Sequence, residues 1–312
     1  MQIFSVGLAS TEPHTTGHKG SQRWEFVSLH WTLAVGRWTL GVFPMFPLKT
    51  NALPTNTADL TRHLNESLRD LFELPNDPVT IREVSYPHLA SLAVALDGAQ
   101  LRGQPPTVPS PAGESAPALT VDSFAANGSR ISVGPGAVDF ALEAKNVHLH
   151  RATDSQGNVV LMLHSAADGR IEVSASPADL EALIAEVAKT EAAKHGVAID
   201  NVQLSLRSNS SRSLAAEVRL RAKKLFLSTS LRITGQVDLD EELNAKISSL
   251  DCTGDGAMGG IACGILKPHL EKINGRKFSL MSLPLGEVRL RDVRIVAGAR
   301  LSITAEFGAP VT

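Results

Sequence analysis

Residues 278–308 read FSLMSLPLGEVRLRDVRIVAGARLSITAEFG, and apolar and polar side chains alternate along most of that length. A period of two places successive side chains on opposite faces of a strand. One polar face indicates an antiparallel sheet with a wet side. Val288 and Leu290 have one parity, whereas Val293 and Ile295 have the other. A bulge or bend near Asp292 reconciles them. The stretch holds no histidine, no cysteine and no cluster of carboxylates. So much amphipathic strand without a reactive group calls for a role other than chemistry.

The same pattern recurs upstream. In LAAEVRLRA (214–222), Ala216, Val218 and Leu220 point one way and Glu217, Arg219 and Arg221 the other. In LFLSTSLRI (225–233), Leu225, Leu227, Leu231 and Ile233 share a face. Further strand-like runs lie at 119–125, 137–150 and 158–165, and around Val79–Ser85 and Leu89–Leu101 with Pro87 between them.

Three segments read as helices. Thr57 can cap one carrying Leu60, Leu64, Leu68 and Leu71, which Pro75 and Pro78 terminate. In ADGRIEVSASPADLEALIAEVAKTEAAKHG (167–196), a strand runs into Ser176, a cap followed by Pro177 at the first helical position. Asp179 sits three residues past that cap, and Leu180, Leu183, Ile184 and Val187 follow helical spacing. Gly196 ends this helix. The third spans about 257–274, with Pro268 expected to kink or break it and Gly275 to close it. Strands outnumber helices and come in consecutive runs, so the fold class is α+β with a large, curved antiparallel sheet.

Composition narrows the function. The 312 residues are 43% hydrophobic and 20% charged, enough to bury a substantial core. Thirty basic against 32 acidic residues give no bulk field for nucleic acid, so none is expected as a partner. Two cysteines, Cys252 and Cys263, allow either one bridge or two buried thiols. Every tryptophan falls in the first 50 residues, so the remaining core is built from Leu, Val, Ile and Ala.

Residues 1–50 form an N-terminal extension. Residues 1–23 are polar and expected to be disordered. Residues 24–48, WEFVSLHWTLAVGRWTLGVFPMFPL, hold no apolar run long enough to span a bilayer and make a poor secretory signal. One reading is a loosely packed strand or extension. The other is a membrane-interface segment with Trp24, Trp31 and Trp38 at heptad spacing on one helical face. Residues 51–312 read as a single domain, within which GQPPTVPSPAGESAPA (103–118) is a proline-rich insert with loop composition.

Sequence motifs for chemistry are missing. The nucleophile elbow, the phosphate-binding Walker loop, H-E-x-x-H and C-x-x-C are all absent. CTGDGAMGGIACG (252–264) is glycine-rich and opens a helix, but contains no Lys or Arg. Its glycines serve either an anion or a tight turn and close helix packing, with Gly260 and Gly264 on one face. Asn146, His148 and His150 share a strand face, with His164 a candidate neighbour, but no third metal ligand is identifiable. Arg207, Arg212, Arg219, Arg221, Lys223 and Lys224 crowd neighbouring strands, either as a solvated face or as a surface for anionic headgroups. No catalytic residue, metal or cofactor is assigned.

Four phrases resemble the LmeA-like phospholipid-binding family, related to the tubular lipid-binding superfamily. They are LTRHLNESLRDLFELPNDPVTIREVSYPHLASLAVALDGAQLRG, GRIEVSASPADLEALI, LSTSLRITGQVDLDEELNAKISSL and ILKPHLEKINGRKFSLMSLPLGEVRLRDVRIVAGARLSITAEFG. Together they cover about residues 57–307. The proline-rich insert, the glycine-rich approach to the last helix and the aromatic N-terminus depart from the family. The resemblance implies long helices packed in a strongly curved antiparallel sheet around an apolar tube. It also implies non-enzymatic binding or transfer of a phospholipid or other fatty-acyl ligand, in contact with a membrane surface. The compartment it favours is membrane-associated or the cell envelope. The lack of a clear export signal leaves the cytoplasm as the alternative.

On that reading the lipid-lining residues are Leu225, Leu227, Leu231, Ile233, Val288, Leu290, Leu301 and Ile303 from the strands, with Leu180, Leu183, Ile184 and Val187 from the helix. Each is equally what an ordinary packed core needs. Two other functions stand beside it: a structural or adaptor protein with a filled core, and a hydrolase depending on Asp251, Asp255 or His269.

Overall fold

A computed structural model describes residues 45–103, 112–194, 196–224, 227–282 and 288–309. The expected disorder of residues 1–23 and the interface segment bearing Trp24, Trp31 and Trp38 lie outside the described residues. The architecture is α+β, dominated by two largely antiparallel sheets.

The first sheet takes the chain from β1 (Met45–Pro47) through helix α1 (Thr57–Leu71), β2 (Phe72–Glu73), β3 (Val79–Ser85), β4 (His88–Ala95) and β5 (Gln100–Leu101). It continues through β6 (Ala112–Val133), β7 (Gly136–Thr153), β8 (Val159–Ser165) and β9 (Asp168–Ala175). The terminal hairpin β15 (Arg289–Ala297) and β16 (Leu301–Gly308) completes it. The strand order along its main path is β15-β16-β9-β7-β6-β4-β3. Pairing is antiparallel except where β4 and β5 meet β6 in parallel.

The second sheet is β10 (Ala198–Ser210), β11 (Ser213–Lys224), β12 (Leu227–Leu239), β13 (Asn244–Gly254) and β14 (Lys277–Ser279), paired in chain order. Helix α2 (Pro177–Ala193) leads into it, and helix α3 (Gly256–Ile273) lies between β13 and β14.

The local signals act as their chemistry dictates. Leu60, Leu64, Leu68 and Leu71 are all buried on one stripe of α1. The cap is Asn56, not Thr57: its side chain accepts the Asp59 N–H at 2.9 Å, and Thr57 is the first helical residue. Ser176 caps α2 by accepting from the Asp179 N–H, and the Asp179 carboxylate in turn accepts the Ala137 N–H at 3.0 Å. The terminal hairpin carries its irregularity between Leu290 and Asp292, which brings Val293 and Ile295 onto the apolar face of the sheet.

Three expectations are corrected. The proline-rich stretch is not loop throughout, because residues 112–118 belong to β6 and Pro117 faces His150 of β7. β6 and β7 are also longer than the alternation suggests. Small residues on both faces, Ala125, Ala126 and Gly128 in β6 and Ala141 and Ala144 in β7, blur the period-two signal while leaving the backbone ladder intact. Pro268 does not end α3, which runs on to Ile273. Asn274 and then Gly275, at φ +81°, close it.

The two sheets meet along β15. Ile295 donates its N–H to the Ser211 carbonyl at 2.7 Å, and Ala297 donates to Ser208 Oγ at 2.6 Å. Arg212 pairs with Asp292 at 2.8 Å. Leu239 and Leu243 of the second sheet bury into the same core as Val288, Leu290 and Val293.

Candidate functional site

In the second sheet, cross-strand partners point the same way, so the register sorts side chains into rows. One row is Leu204, Val218, Ile233 and Cys252. The next is Leu206, Ala216 and Gly235, with Leu250 over the glycine. A third contains Leu214, Val237 and Ile247. The face is mainly apolar, with Ser208 and Thr229 toward its ends, but it is not uniformly buried.

Both ends of that face are packed. At one end Ile199, Leu220, Ala222, Leu231 and Cys263 form a small core. Ala188 and Ala192 of α2 and Ala262 and Leu266 of α3 pack against it, so both helices lie on this face. At the other end Leu239, Leu243 and Leu214 join the large core of the first sheet. Between them Leu204, Leu206, Ala216, Val237, Ile247 and Leu250 are half-buried and belong to neither packed cluster. Gly235 leaves its place in the middle of β12 without a side chain, and Leu250 leans into it. The result is an apolar band, floored by four strands and flanked by two helices, whose middle is incompletely covered by the chain itself.

Each helix is seated differently. α2 is held at its start by Asp179 and by Leu183, which packs directly over Gly136 of β7. Further along, Glu181 Oε1 accepts the Leu204 N–H at 2.7 Å and so satisfies part of the free edge of β10. The Asp179 carboxyl titrates below the usual carboxylate range, chiefly through its hydrogen bond with Ser176. α3 approaches the sheet closely because two glycines meet: a side chain at Gly259 would fall 2.4 Å from the Gly254 backbone. One turn on, a disulfide joins Cys263 to Cys252 of β13. Of the glycines in 252–264, Gly254 and Gly259 therefore make the close packing. Gly260 and Gly264, expected to do so, face open space.

The residues expected to line a lipid site separate into three groups. Leu180, Ile184 and Val187 are half-buried on α2, Leu183 is buried at Gly136, and Leu231 and Ile233 lie on the banded face. Leu227 is at the outer end of that face and 43% exposed. Val288 and Leu290 are in the packed core of the first sheet, with Leu301 against it. Ile303 shares a row with Ile295 and Val173 but is 42% exposed. Leu225 lies outside the described residues. Sequence reasoning misses the band's other members, Leu204, Leu206, Ala216, Val237, Ile247 and Leu250. Period two marks them as apolar-facing, but only the register shows which rows lie between the two cores.

The alternatives for chemistry find less support. His150 and His164 stack with ring centroids 3.7 Å apart. Among the described residues, no group of three or more His, Cys, Asp or Glu side chains is placed to hold a metal. Asp255 and His269 lie at opposite ends of α3, about 20 Å apart by helical rise, too far to share one reaction centre. The basic outer strands are partly neutralised in place. Glu217 pairs with both Arg219 and Arg232, and Lys223 pairs with Asp200 at 2.6 Å. Those contacts favour a solvated face. Among the described residues, no helix is long and apolar enough to cross a membrane. No family model matches this chain, and no curated protein or solved structure matches it either.

Proposed function

We propose that the protein is a non-enzymatic carrier of a phospholipid or other acyl-chain lipid, held by its tail along the half-buried band between α2 and α3. The observation that carries this reading is the contrast in burial along one continuous apolar face. Its two ends are packed and its middle is not. A core that folds for its own sake closes over such residues. The walls are branched aliphatics with no aromatic ring among the central rows, a lining suited to a flexible chain. At about 0.8 kcal/mol per buried methylene, a 16-carbon tail offers roughly 12 kcal/mol before ordering costs, so no charged contact is required. The resemblance of the helix and hairpin phrases to LmeA-like phospholipid-binding proteins points the same way, as does the tube that family's fold implies.

The Cys252–Cys263 disulfide favours an oxidising compartment such as a cell envelope over a reducing cytoplasm. The test is native mass spectrometry of the protein after incubation with phospholipid vesicles, together with chromatography of its extracted lipid. The expected result is a bound species at the mass of one lipid. A bare polypeptide mass under every loading condition would remove the proposal and leave the adaptor reading.

A further inference from the structure

Helix α3 carries a second apolar surface that the band does not use. Cys263 and Gly259 face the sheet. Ile261 and Ile265 lie two residues either side of Cys263, about 200° around the helix, and so point away from it. They are 58% and 67% exposed, and Met258 beside them is 38% exposed. Residues 256–266, GAMGGIACGIL, hold no charged side chain, so no polar face shields this turn from water. Contiguous exposed apolar surface of this kind marks a contact site.

The next eleven residues indicate the partner. Residues 267–277, KPHLEKINGRK, contain four basic residues against one acidic. Lys272 is exposed and lies nine residues past Cys263, about 180° around the helix and so on the side of the isoleucines, whereas Lys267 stands about 40° from Cys263 beside Glu271 and Lys277 pairs with Asp240 at 3.8 Å. The apolar part offers isoleucine, methionine and glycine, without the Tyr, Trp or Arg anchors typical of protein interfaces. An uncharged apolar half leading into a basic half fits the layering of an anionic bilayer, with acyl boundary beside headgroup phosphates.

We propose that the outer face of α3 docks on an anionic membrane surface, with Met258, Ile261 and Ile265 entering the headgroup–acyl boundary and Lys272 on the phosphates. The disulfide fixes the orientation: with Cys263 bound inward, the two isoleucines are held outward. The inference extends the lipid-carrier reading, because it sets one wall of the band against the bilayer. It is separable from that reading, since docking is read by vesicle binding and loading by mass.

The experiment is vesicle flotation of the full chain with phosphatidylcholine vesicles, with and without phosphatidylglycerol. Wild type is expected to float with the anionic vesicles and to be released by salt. The double variant Ile261→Asp/Ile265→Asp should bind at least about tenfold more weakly, given the transfer energy of two aliphatic side chains. Lys272→Glu should weaken binding to the anionic vesicles alone. Val84→Asp, at a position 59% exposed on edge strand β3, should bind as wild type. Should the double variant melt early, Ile265→Ser carries the same expectation with a smaller loss. Wild type that ignores anionic vesicles, or isoleucine variants that bind undiminished, would overturn the proposal. So would sedimentation showing that wild type is a dimer which the double variant splits, since the face would then belong to a second copy.

Discussion

Gly136→Ala tests how α2 is seated, and the structure sets both the sign and the size of its effect. A methyl group at this position would lie 2.6 Å from the Asp179 carbonyl oxygen and 2.8 Å from Leu183 Cγ. The first contact is with backbone and cannot be relieved by a rotamer change. α2 is also pinned there by the hydrogen bond from the Ala137 N–H to Asp179. The helix start must therefore move by several tenths of an ångström, and overpacking of this kind costs about 1–3 kcal/mol. Removing glycine's freedom in the unfolded chain returns about 0.4–1 kcal/mol. The net expectation is a loss of about 1.5 kcal/mol, seen as a urea midpoint lowered by roughly 0.5 M with unchanged slope. Gly264→Ala is the internal contrast. Nothing lies within 4 Å of a side chain at that helical position, so it should gain about 0.5–1 kcal/mol. Equal stability of wild type and Gly136→Ala would show that α2 is not seated in this way, and a loss at Gly264→Ala would show that the α3 surface there is not open.

Three more outcomes are expected. Replacing Cys252 and Cys263 together by alanine reopens an 11-residue separation and should cost about 3 kcal/mol in thermal melts, with dithiothreitol giving the same shift in wild type; an unchanged melt would remove the bridge as the clamp on α3. Asp292, hydrogen-bonded to Arg212, and Asp179 both titrate below their ordinary values, so their contribution is full above about pH 4 and is lost as pH falls through the lowered values; Asp292→Asn should cost about 1 kcal/mol at neutral pH and flatten the acid-side fall, and an identical pH profile would count against the junction. Ala216→Phe should leave the melting temperature within the small range of a surface change while abolishing lipid uptake, whereas a filled core predicts a loss of about 1–3 kcal/mol.

Much of the fold was legible because its signals are local. The Ser176 cap, the helical leucine stripes and the bulge that reverses parity in the terminal hairpin each arise from a few neighbouring residues, whereas the cap of α1 fell on Asn56, one residue before Thr57. Pro268 signals a kink or a break alike in the sequence, and which of the two results depends on the packing around it; here α3 runs through to Ile273. The site was less legible. Period two says that Leu204, Ala216 and Leu290 each face an apolar side, but not that Leu290 meets a core while Leu204 and Ala216 do not. That difference depends on where the two sheets join, through Ser208, Ser211 and Arg212 meeting β15. Contacts between residues about 80 apart leave no mark on local spacing.

The lipid-carrier reading stands or falls on whether hydrocarbon occupies the half-buried middle of the second sheet's apolar face. Loading the protein with a diazirine-bearing fatty acid, irradiating it and mapping the adducts by peptide mass spectrometry reads that occupancy residue by residue. Adducts are expected to concentrate on Leu204, Ala216, Ile233 and Leu250 and on the facing residues Ile184 and Val187. Adducts confined to other surfaces, or none above an albumin-competed background, would leave the band without a ligand.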